Sequence, residues 1–268
     1  MNFVVGEMTE RGRKVNIVII TGASSGLGRE FAKQIDSNLG AGIDQIWLIA
    51  RRIERLEELS KSLRKKTRII KMDITNELYM QQFREMLTAE KPVVKMLINC
   101  AGFGLLGHFS NNSLDEQLGM LDVNCTALTK MTYYVIPYMK RNSRMIQLAS
   151  SAAFLPQPNF AVYAATKSYV LSFSYALGEE LREKGIVVTA VCPGPIKTEF
   201  FDIAERYGGN LAVKKLTMVE APGVVRAALK ASAKRKSISV YSPLIKSFHM
   251  ITRILPVKLV LMILRTIK

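Results

Sequence analysis

Residues 15–28, VNIVIITGASSGLG, join a run of β-branched apolar residues to a turn with three glycines. The run predicts a buried strand from Val15 to Thr21, and the residues after the turn predict a helix that continues through Asn38. Because the glycines lack a Cβ, the backbone can turn tightly and a pyrophosphate can approach the N-terminus of the helix. The spacing is a variant of the common dinucleotide fingerprint in its required strand-turn-helix context.

Strands and helices alternate along the rest of the chain. This alternation predicts an α/β fold, a doubly wound parallel sheet with helices on both faces. Six further strands are predicted at Gln45–Ala50, Thr67–Met72, Val94–Cys100, Arg144–Ala149, Ile186–Val191 and Ser237–Tyr241. Further helices are predicted at Glu54–Arg64, Glu77–Glu90, Ser113–Arg141 with a capping box of Ser113 and Glu116, Val162–Lys184 and Glu220–Lys234.

The chain divides into three parts. Residues 1–14 are polar and basic and predict a loose N-terminus, residues 15–242 predict a single folded domain, and residues 243–268 form an apolar, basic tail. Residues 195–217 are too long for a simple connection and predict a lid. The apolar run within the tail is too short to span a bilayer. The tail is interpreted as a cover over the substrate pocket, an oligomer contact or a helix on a membrane surface.

Charge is the unusual global property: the formal net charge is +16, with a pI near 9.8. From residue 230 onward there are nine Lys or Arg and no acidic residue. Such a tail favours anionic surfaces, or it is a solvated face that aids solubility. No nucleic-acid motif or metal-ligand spacing occurs, so neither partner is predicted. Three cysteines in apolar stretches and an N-terminus without a secretory pattern predict a cytoplasmic protein without disulfides.

Tyr163 and Lys167 are spaced so that both side chains leave one helix face about one turn apart. An ammonium about 4 Å from a phenol, at an effective dielectric of about 20, contributes roughly 4 kcal/mol. This predicts a pKa for Tyr163 about three units below its usual value near 10, so that it exchanges a proton near neutral pH. Ser150 or Ser151, at the end of the preceding strand, can hold a carbonyl or alcohol oxygen against it, leaving a hydride donor to be supplied.

The end of the second predicted strand reads Ala50-Arg51-Arg52. An acidic residue at this point would accept the 2′-hydroxyl of NAD, whereas guanidinium groups pair with a 2′-phosphate. The sequence therefore favours NADP(H) over NAD.

Together these motifs resemble the short-chain dehydrogenase/reductase family from about Val15 to Tyr241. The resemblance implies a single-domain Rossmann fold of about seven strands, NAD(P) as hydride carrier, and a catalytic group of Asn124, Ser151, Tyr163 and Lys167. In that group Tyr163 is the acid/base, Lys167 lowers its pKa and holds the nicotinamide ribose, Ser151 orients the substrate oxygen, and Asn124 binds a water. The cofactor residues implied are Gly22, Ser24, Ser25, Gly26, Leu27, Gly28, Arg51, Arg52, Asp73, Ile74, Asn99, Ala101, Gly102, Tyr163, Lys167, Pro193, Gly194, Ile196 and Thr198.

Two positions depart from the family pattern. Cys100 stands where the family has a second Asn. Ser151 precedes Tyr163 by twelve residues, where thirteen is commoner and Ser150 satisfies it; the Ser-Ser motif favours Ser151.

The function expected is that of an NADP(H)-dependent carbonyl reductase or alcohol dehydrogenase. Its pocket is predicted to be apolar, which favours a lipophilic ketone or alcohol such as a hydroxysteroid or long-chain acyl compound. The alternative is a catalytically silent NADP(H)-binding protein docked to a membrane or anionic surface by its basic tail. The resemblance also implies a homo-oligomer, a dimer or tetramer. The predicted pocket residues are Phe103, Leu105, Leu106, Phe109, Phe154, Leu155, Phe160, Phe200 and Phe201.

Overall fold

The computed structural model describes residues 14–38, 42–206 and 218–266. In this part of the chain, seven strands form one parallel sheet in the order β3-β2-β1-β4-β5-β6-β7. The sequence of connections reverses beside β1, whose neighbours are β2 and β4, and this reversal opens a crevice at the carboxyl ends of the strands. The strands are β1 Asn16–Thr21, β2 Gln45–Ala50, β3 Lys66–Lys71, β4 Val93–Asn99, β5 Met139–Leu148, β6 Val187–Val191 and β7 Ile238–Ser239.

Helices cover both faces of the sheet. Ile17 and Ile19 of β1 pack in one apolar core with residues of α3, α5 and α6, and Val18 and Ile20 pack in a second core with α1, α2 and α8. Alternate side chains of a strand point to opposite faces, so β1 is buried on both sides. The helices are α1 Gly26–Asn38, α2 Ile53–Ser62, α3 Glu77–Glu90, α4 Leu114–Leu121, α5 Leu128–Val135, α6 Ala161–Glu180, α7 Phe200–Ala204, α8 Ala221–Ala233, α9 Pro243–Ile254 and α10 Val257–Thr266.

The predicted fold class is confirmed, and most predicted element boundaries agree within two residues. The helix predicted over Ser113–Arg141 is wrong in three respects. Ser113 makes no side-chain cap hydrogen bond, so the capping box is absent. A π-helical turn, Asp122–Ala127, separates α4 from α5. The helix ends at Val135, where a 3₁₀ turn containing Pro137 leads into β5.

The tail forms α9 and α10, and α9 packs against the 3₁₀ turn Ser151–Phe154 that follows β5. The rings of Phe154 and His249 lie 4.2 Å apart between centroids. Of the predicted lid, the described residues contain α7 and a bridge between Ile196 and Val219, while residues 207–217 lie outside the described part, as does the predicted loose N-terminus up to residue 13. The division of the chain at residues 14 and 242 stays a prediction.

Candidate active site

A cavity of about 1290 Å³ opens at the carboxyl ends of the strands, where the residues following β1 to β6 line it. It brings together nearly all the site residues expected from the sequence. The lining includes Gly22, Ser24, Ser25, Gly26, Leu27, Arg51, Arg52, Asp73, Ile74, Ala101, Gly102, Ser151, Tyr163, Lys167, Pro193, Gly194, Ile196 and Thr198.

Three expected site residues lie behind the lining. A Cβ on Gly28 would stand 2.3 Å from the carbonyl oxygen of Gly22, so this glycine allows close packing within the turn. The buried Asn99 donates from Nδ2 to Thr132 Oγ1 and to Gln147 Oε1, both at 3.0 Å. These contacts indicate that Gly28 and Asn99 support the cavity wall from inside the fold.

Asn124 is the third of these residues and lies fully buried in the π-helical turn. Its Nδ2 donates to the carbonyl oxygen of Phe103 at 2.9 Å and to Thr166 Oγ1 at 3.0 Å. Its Oδ1 accepts from the backbone N–H of Phe103 at 3.2 Å. Asn124 therefore ties the loop after β4 to α6, the helix that carries Tyr163 and Lys167.

The glycine turn needs its glycines for conformation and for space. Gly22 has φ +68°, and a Cβ on it would stand 2.8 Å from the backbone nitrogen of Ala101. Thr21 Oγ1 accepts from the backbone N–H groups of Cys100 and Ala101 at 3.1 and 3.2 Å. These hydrogen bonds therefore join the ends of β1 and β4 directly beneath the cavity.

Lys167 and Tyr163 lie on one face of α6, as their spacing predicts. Lys167 Nζ donates to the carbonyl oxygen of Leu148 at 2.8 Å and lies 5.6 Å from the centroid of the Tyr163 ring. Burial raises the pKa of Tyr163 to about 12 and lowers the pKa of Lys167 to about 8. The predicted fall in the pKa of Tyr163 is wrong for this structure, because removal of the phenolate from water outweighs the lowering effect of the Ser150 hydroxyl.

The hydroxyl of Ser150 lowers the pKa of the Tyr163 phenol, against the larger effect of burial. Ser150 Oγ also accepts from the backbone N–H of Ala152 at 3.1 Å. Ser151 lines the cavity, and its backbone N–H donates to the carbonyl oxygen of Pro193 at 2.8 Å. Both serines line the cavity, and the catalytic role expected of Ser151 stays a prediction.

Aromatic packing fixes the ring of Tyr163. Phe160 stacks on it with centroids 4.2 Å apart and an interplanar angle of 21°, and Phe200 lies 5.5 Å away. On its other side, a Cβ on Gly104 would stand 2.5 Å from Tyr163 Cδ2. The sequence reasoning did not identify Gly104 as a site residue, because only the folded chain brings this backbone against the ring.

A cluster of charged and hydroxyl groups lies at the glycine-turn end of the cavity. Arg52 donates to Ser25 Oγ at 2.8 Å, to Ser24 Oγ at 3.3 Å and to Glu199 Oε2 at 3.0 Å. Arg55 donates to the other oxygen of Glu199, and the two guanidinium groups hold the pKa of this carboxyl below its usual range. The sequence reasoning did not identify Glu199, which lies 147 residues from Arg52 along the chain.

Of the two arginines expected to meet a phosphate, Arg52 is the one held over the glycine turn. The side chain of Arg51 is 77% exposed and lies 3.7 Å from Asp73 Oδ2. Both arginines line the cavity. An anion at this end would therefore meet the guanidinium of Arg52, which is held by hydrogen bonds, and the solvent-exposed guanidinium of Arg51.

The opposite part of the cavity is apolar. Five of the predicted pocket residues line it, whereas Leu105 and Leu106 are buried in the adjoining core, Phe154 packs on α9 and Phe109 is exposed. One face of α9 completes the wall, so the tail contributes to the pocket. The apolar lining consists of Phe103, Leu155, Phe160, Phe200, Phe201, Ile203, Leu244, Ile245, Phe248, Ile251, Leu255 and Val260.

Comparison with known proteins agrees with this geometry. The family model described as short chain dehydrogenase matches residues 16–206. Sulfoacetaldehyde reductase 2 of Chromohalobacter salexigens is 34% identical over 203 residues, which cover 74% of this chain and 78% of that protein. Mouse 17-beta-hydroxysteroid dehydrogenase type 3 is 30% identical over 189 residues, 67% of this chain and 60% of its own length.

Solved structures show the same architecture. A short-chain dehydrogenase from Sphingobium yanoikuyae in complex with NADPH has a TM-score of 0.72 and 27% identity, covering 84% of this chain and 87% of that one. A short-chain dehydrogenase/reductase from Burkholderia phymatum in complex with NAD has a TM-score of 0.75 and 22% identity, covering 88% and 92%. The second likeness bears on the fold alone.

Proposed function

The chain is an oxidoreductase of the short-chain dehydrogenase family, and from this premise we propose that it is an NADP(H)-dependent carbonyl reductase or alcohol dehydrogenase acting on a lipophilic substrate. It interconverts a ketone and a secondary alcohol. The observation that carries the proposal is the group of half-buried Ser150 with buried Tyr163 and Lys167, at the junction of the polar and apolar parts of one cavity. A protein that only bound a nucleotide would have no need of this group.

The residues present fit a dinucleotide. The backbone at Gly22 and Gly26 has positive φ and carries no side chain at these two positions, as close approach of a pyrophosphate requires. Arg52, with Ser24 and Ser25, offers the donors that a 2′-phosphate accepts, which supports NADP(H) over NAD. The nicotinamide of the bound cofactor supplies the hydride.

The chain's own residues handle the proton. With a pKa of about 12, the phenol of Tyr163 is protonated at neutral pH and can donate to a carbonyl oxygen held by Ser150 and Tyr163. The ammonium of Lys167 stabilises the tyrosinate that forms. Asn124 fixes the loop over this group through Phe103; its role in binding a water that links Lys167 to solvent stays a prediction.

The substrate class rests on the apolar half of the cavity. Aromatic and aliphatic side chains from α7 and α9 face the space beside Tyr163, and such a wall binds apolar groups in proportion to the area they bury. The relative named as a hydroxysteroid dehydrogenase supports the same class. The homo-oligomer and the cytoplasmic location expected from the sequence stay predictions.

A homologous series of methyl ketones tests the substrate class. Each added methylene that enters the apolar wall contributes about 0.8 kcal/mol, so kcat/KM for NADPH-dependent reduction rises about fourfold per methylene until the cavity is full. Ile245→Asp, which places a carboxylate in the wall, flattens the series. The proposed substrate class fails if short charged aldehydes are reduced and longer ketones are not.

The same assay distinguishes the proposed reductase from the alternative, a catalytically silent NADP(H)-binding protein. Binding of NADPH without oxidation by any ketone or aldehyde of the series would favour it. The buried Tyr163–Lys167 pair argues against it, because a buried phenol beside an ammonium carries a cost in desolvation that binding alone does not require.

A further inference from the structure

The outer faces of α9 and α10 carry large apolar side chains in contact with solvent. Met250 is 62% exposed and Ile254 is 76% exposed. These residues recur at helical spacing and continue past Pro256 into α10, so they form one stripe. The stripe consists of Leu244, Met250, Ile251, Ile254, Val257, Leu259 and Met262.

The inner face of α9 forms part of the cavity wall. Ile245, Phe248 and Leu255 line the cavity, while Met250 and Ile254 do not. The helix is therefore apolar on two sides, one toward the cavity and one toward the outside. Packing within the part of the chain that the structure describes accounts for the first side only.

Basic residues accompany the stripe. Lys246, Arg253 and Lys258 are all exposed on these two helices. The sequence has no Asp or Glu from residue 221 to residue 268, so nothing along this stretch offsets their charge. A partner for this face must bury apolar groups and also supply anions.

A second copy of the chain fits these requirements poorly. A twofold contact places a surface against itself, so the three cations beside the stripe would face a second basic surface that has no carboxylate from residues 221–268. Like charges juxtaposed at an interface oppose association. Nucleic acid supplies anions, but its phosphates offer no apolar medium for Met250 and Ile254.

We propose that the outer face of α9 and α10 docks on an anionic lipid bilayer. The apolar stripe enters the boundary between headgroups and acyl chains, and Lys246, Arg253 and Lys258 contact the headgroups. The chain lies on the bilayer: among the residues described here, none of the helices has the length and apolar character needed for a membrane crossing.

Docking in this way brings the cavity to the lipid. Leu244 and Ile251 are exposed and also line the cavity, so the cavity wall and the stripe meet at these two residues. A lipophilic compound could pass from the bilayer into the pocket without crossing water. This last consequence rests on the proposed function, whereas docking itself depends only on the surface.

Co-sedimentation of the full chain with vesicles tests the proposal. Binding is expected with vesicles of phosphatidylcholine and phosphatidylglycerol, and it weakens with added salt. Each Lys or Arg near an anionic surface strengthens binding about fivefold, so Lys246→Gln, Arg253→Gln and Lys258→Gln together weaken it about 100-fold. Met250→Glu with Ile254→Glu also abolishes binding, and neither residue lines the cavity, so NADPH affinity is retained.

Leu78→Glu is the matched control, because Leu78 is similarly exposed on α3, away from the tail, and its substitution leaves vesicle binding unchanged. Equal binding to neutral and anionic vesicles, or undiminished binding by the tail variants, overturns the proposal. Sedimentation velocity tests whether a second copy of the chain occupies this face instead. If the chain forms a dimer that Met250→Glu and Ile254→Glu dissociate, while vesicle binding is unaffected, the face belongs to a second copy. NADPH-dependent ketone reduction, measured on the same samples, separates failure of docking from failure of the proposed function.

Discussion

Replacement of Ser150 by alanine is expected to impair catalysis far more than replacement of its neighbour Ser151. The Ser150 hydroxyl lowers the pKa of the Tyr163 phenol, so we expect it to hydrogen-bond the tyrosinate that forms during the reaction. A hydrogen bond to a group that becomes charged contributes about 1.5–3 kcal/mol, so Ser150→Ala lowers kcat/KM about 10- to 150-fold. The variant also loses the acceptor for the Ala152 N–H, which costs about 1 kcal/mol of stability and leaves the protein folded.

Initial rates of NADPH oxidation over a range of ketone concentrations at saturating NADPH, measured beside NADPH affinity and thermal unfolding, check this prediction. Ser151→Ala is the matched control, with an expected change in kcat/KM below about threefold. NADPH affinity should be similar in both variants. A larger loss in Ser151→Ala than in Ser150→Ala would refute the assignment and restore the role that the sequence motif indicates.

Three further predictions concern the cofactor, the lysine and the glycine turn. Arg52→Ala weakens NADPH about 10- to 100-fold in fluorescence titration with little change for NADH, and Glu199→Gln tightens NADPH several-fold because the carboxylate no longer occupies two guanidinium groups. Burial lowers the pKa of Lys167 from 10.5 to about 8, so between these two pH values the unfolded chain binds more protons than the folded chain. Relative to Lys167→Met, the free energy of unfolding of the parent therefore rises as the pH increases from about 8. Gly28→Ala, whose Cβ would stand 2.3 Å from a backbone oxygen, destabilises by at least about 1–3 kcal/mol, whereas Gly178→Ala in α6, 3.7 Å from its nearest neighbour, stabilises slightly in thermal unfolding.

Each of these has a contrary result. Equal weakening of NADPH and NADH in Arg52→Ala would show that the guanidinium does not read a 2′-phosphate. A free-energy difference between parent and Lys167→Met that is flat or falls above pH 8 would show that burial does not penalise the ammonium. Equal destabilisation by the two glycine substitutions would show that close packing in the turn does not determine the cost of Gly28→Ala.

The sequence predicted the fold well because its signals are local. The β-branched run before Gly22 and the glycines after it define β1 and the start of α1 with no information from elsewhere in the chain. The alternation of strands and helices is also a local signal, and the α/β class that it predicts is confirmed by the structure. The end of α5 was missed because Pro137 and the return to β4 outweigh the helical pattern that continues to Arg141.

The chemistry of the site depended on burial and on contacts distant in sequence. Spacing placed Tyr163 and Lys167 on one face, but the raised pKa of the phenol follows from the depth at which Phe160 and the loop after β4 enclose it. Glu199 meets Arg52 only because the chain after β6 returns across the glycine turn. The choice between Ser150 and Ser151 likewise requires the geometry of the 3₁₀ turn.

The central claim is that Tyr163 transfers the proton in an NADPH-dependent reduction. The direct test compares the parent with Tyr163→Phe in a single-turnover measurement of NADPH oxidation with a lipophilic ketone. Loss of a positioned acid slows the step by about 10²- to 10⁴-fold, while NADPH affinity remains within a few-fold of the parent because the aromatic packing is kept. Oxidation of NADPH by Tyr163→Phe at the parent's rate would contradict the account.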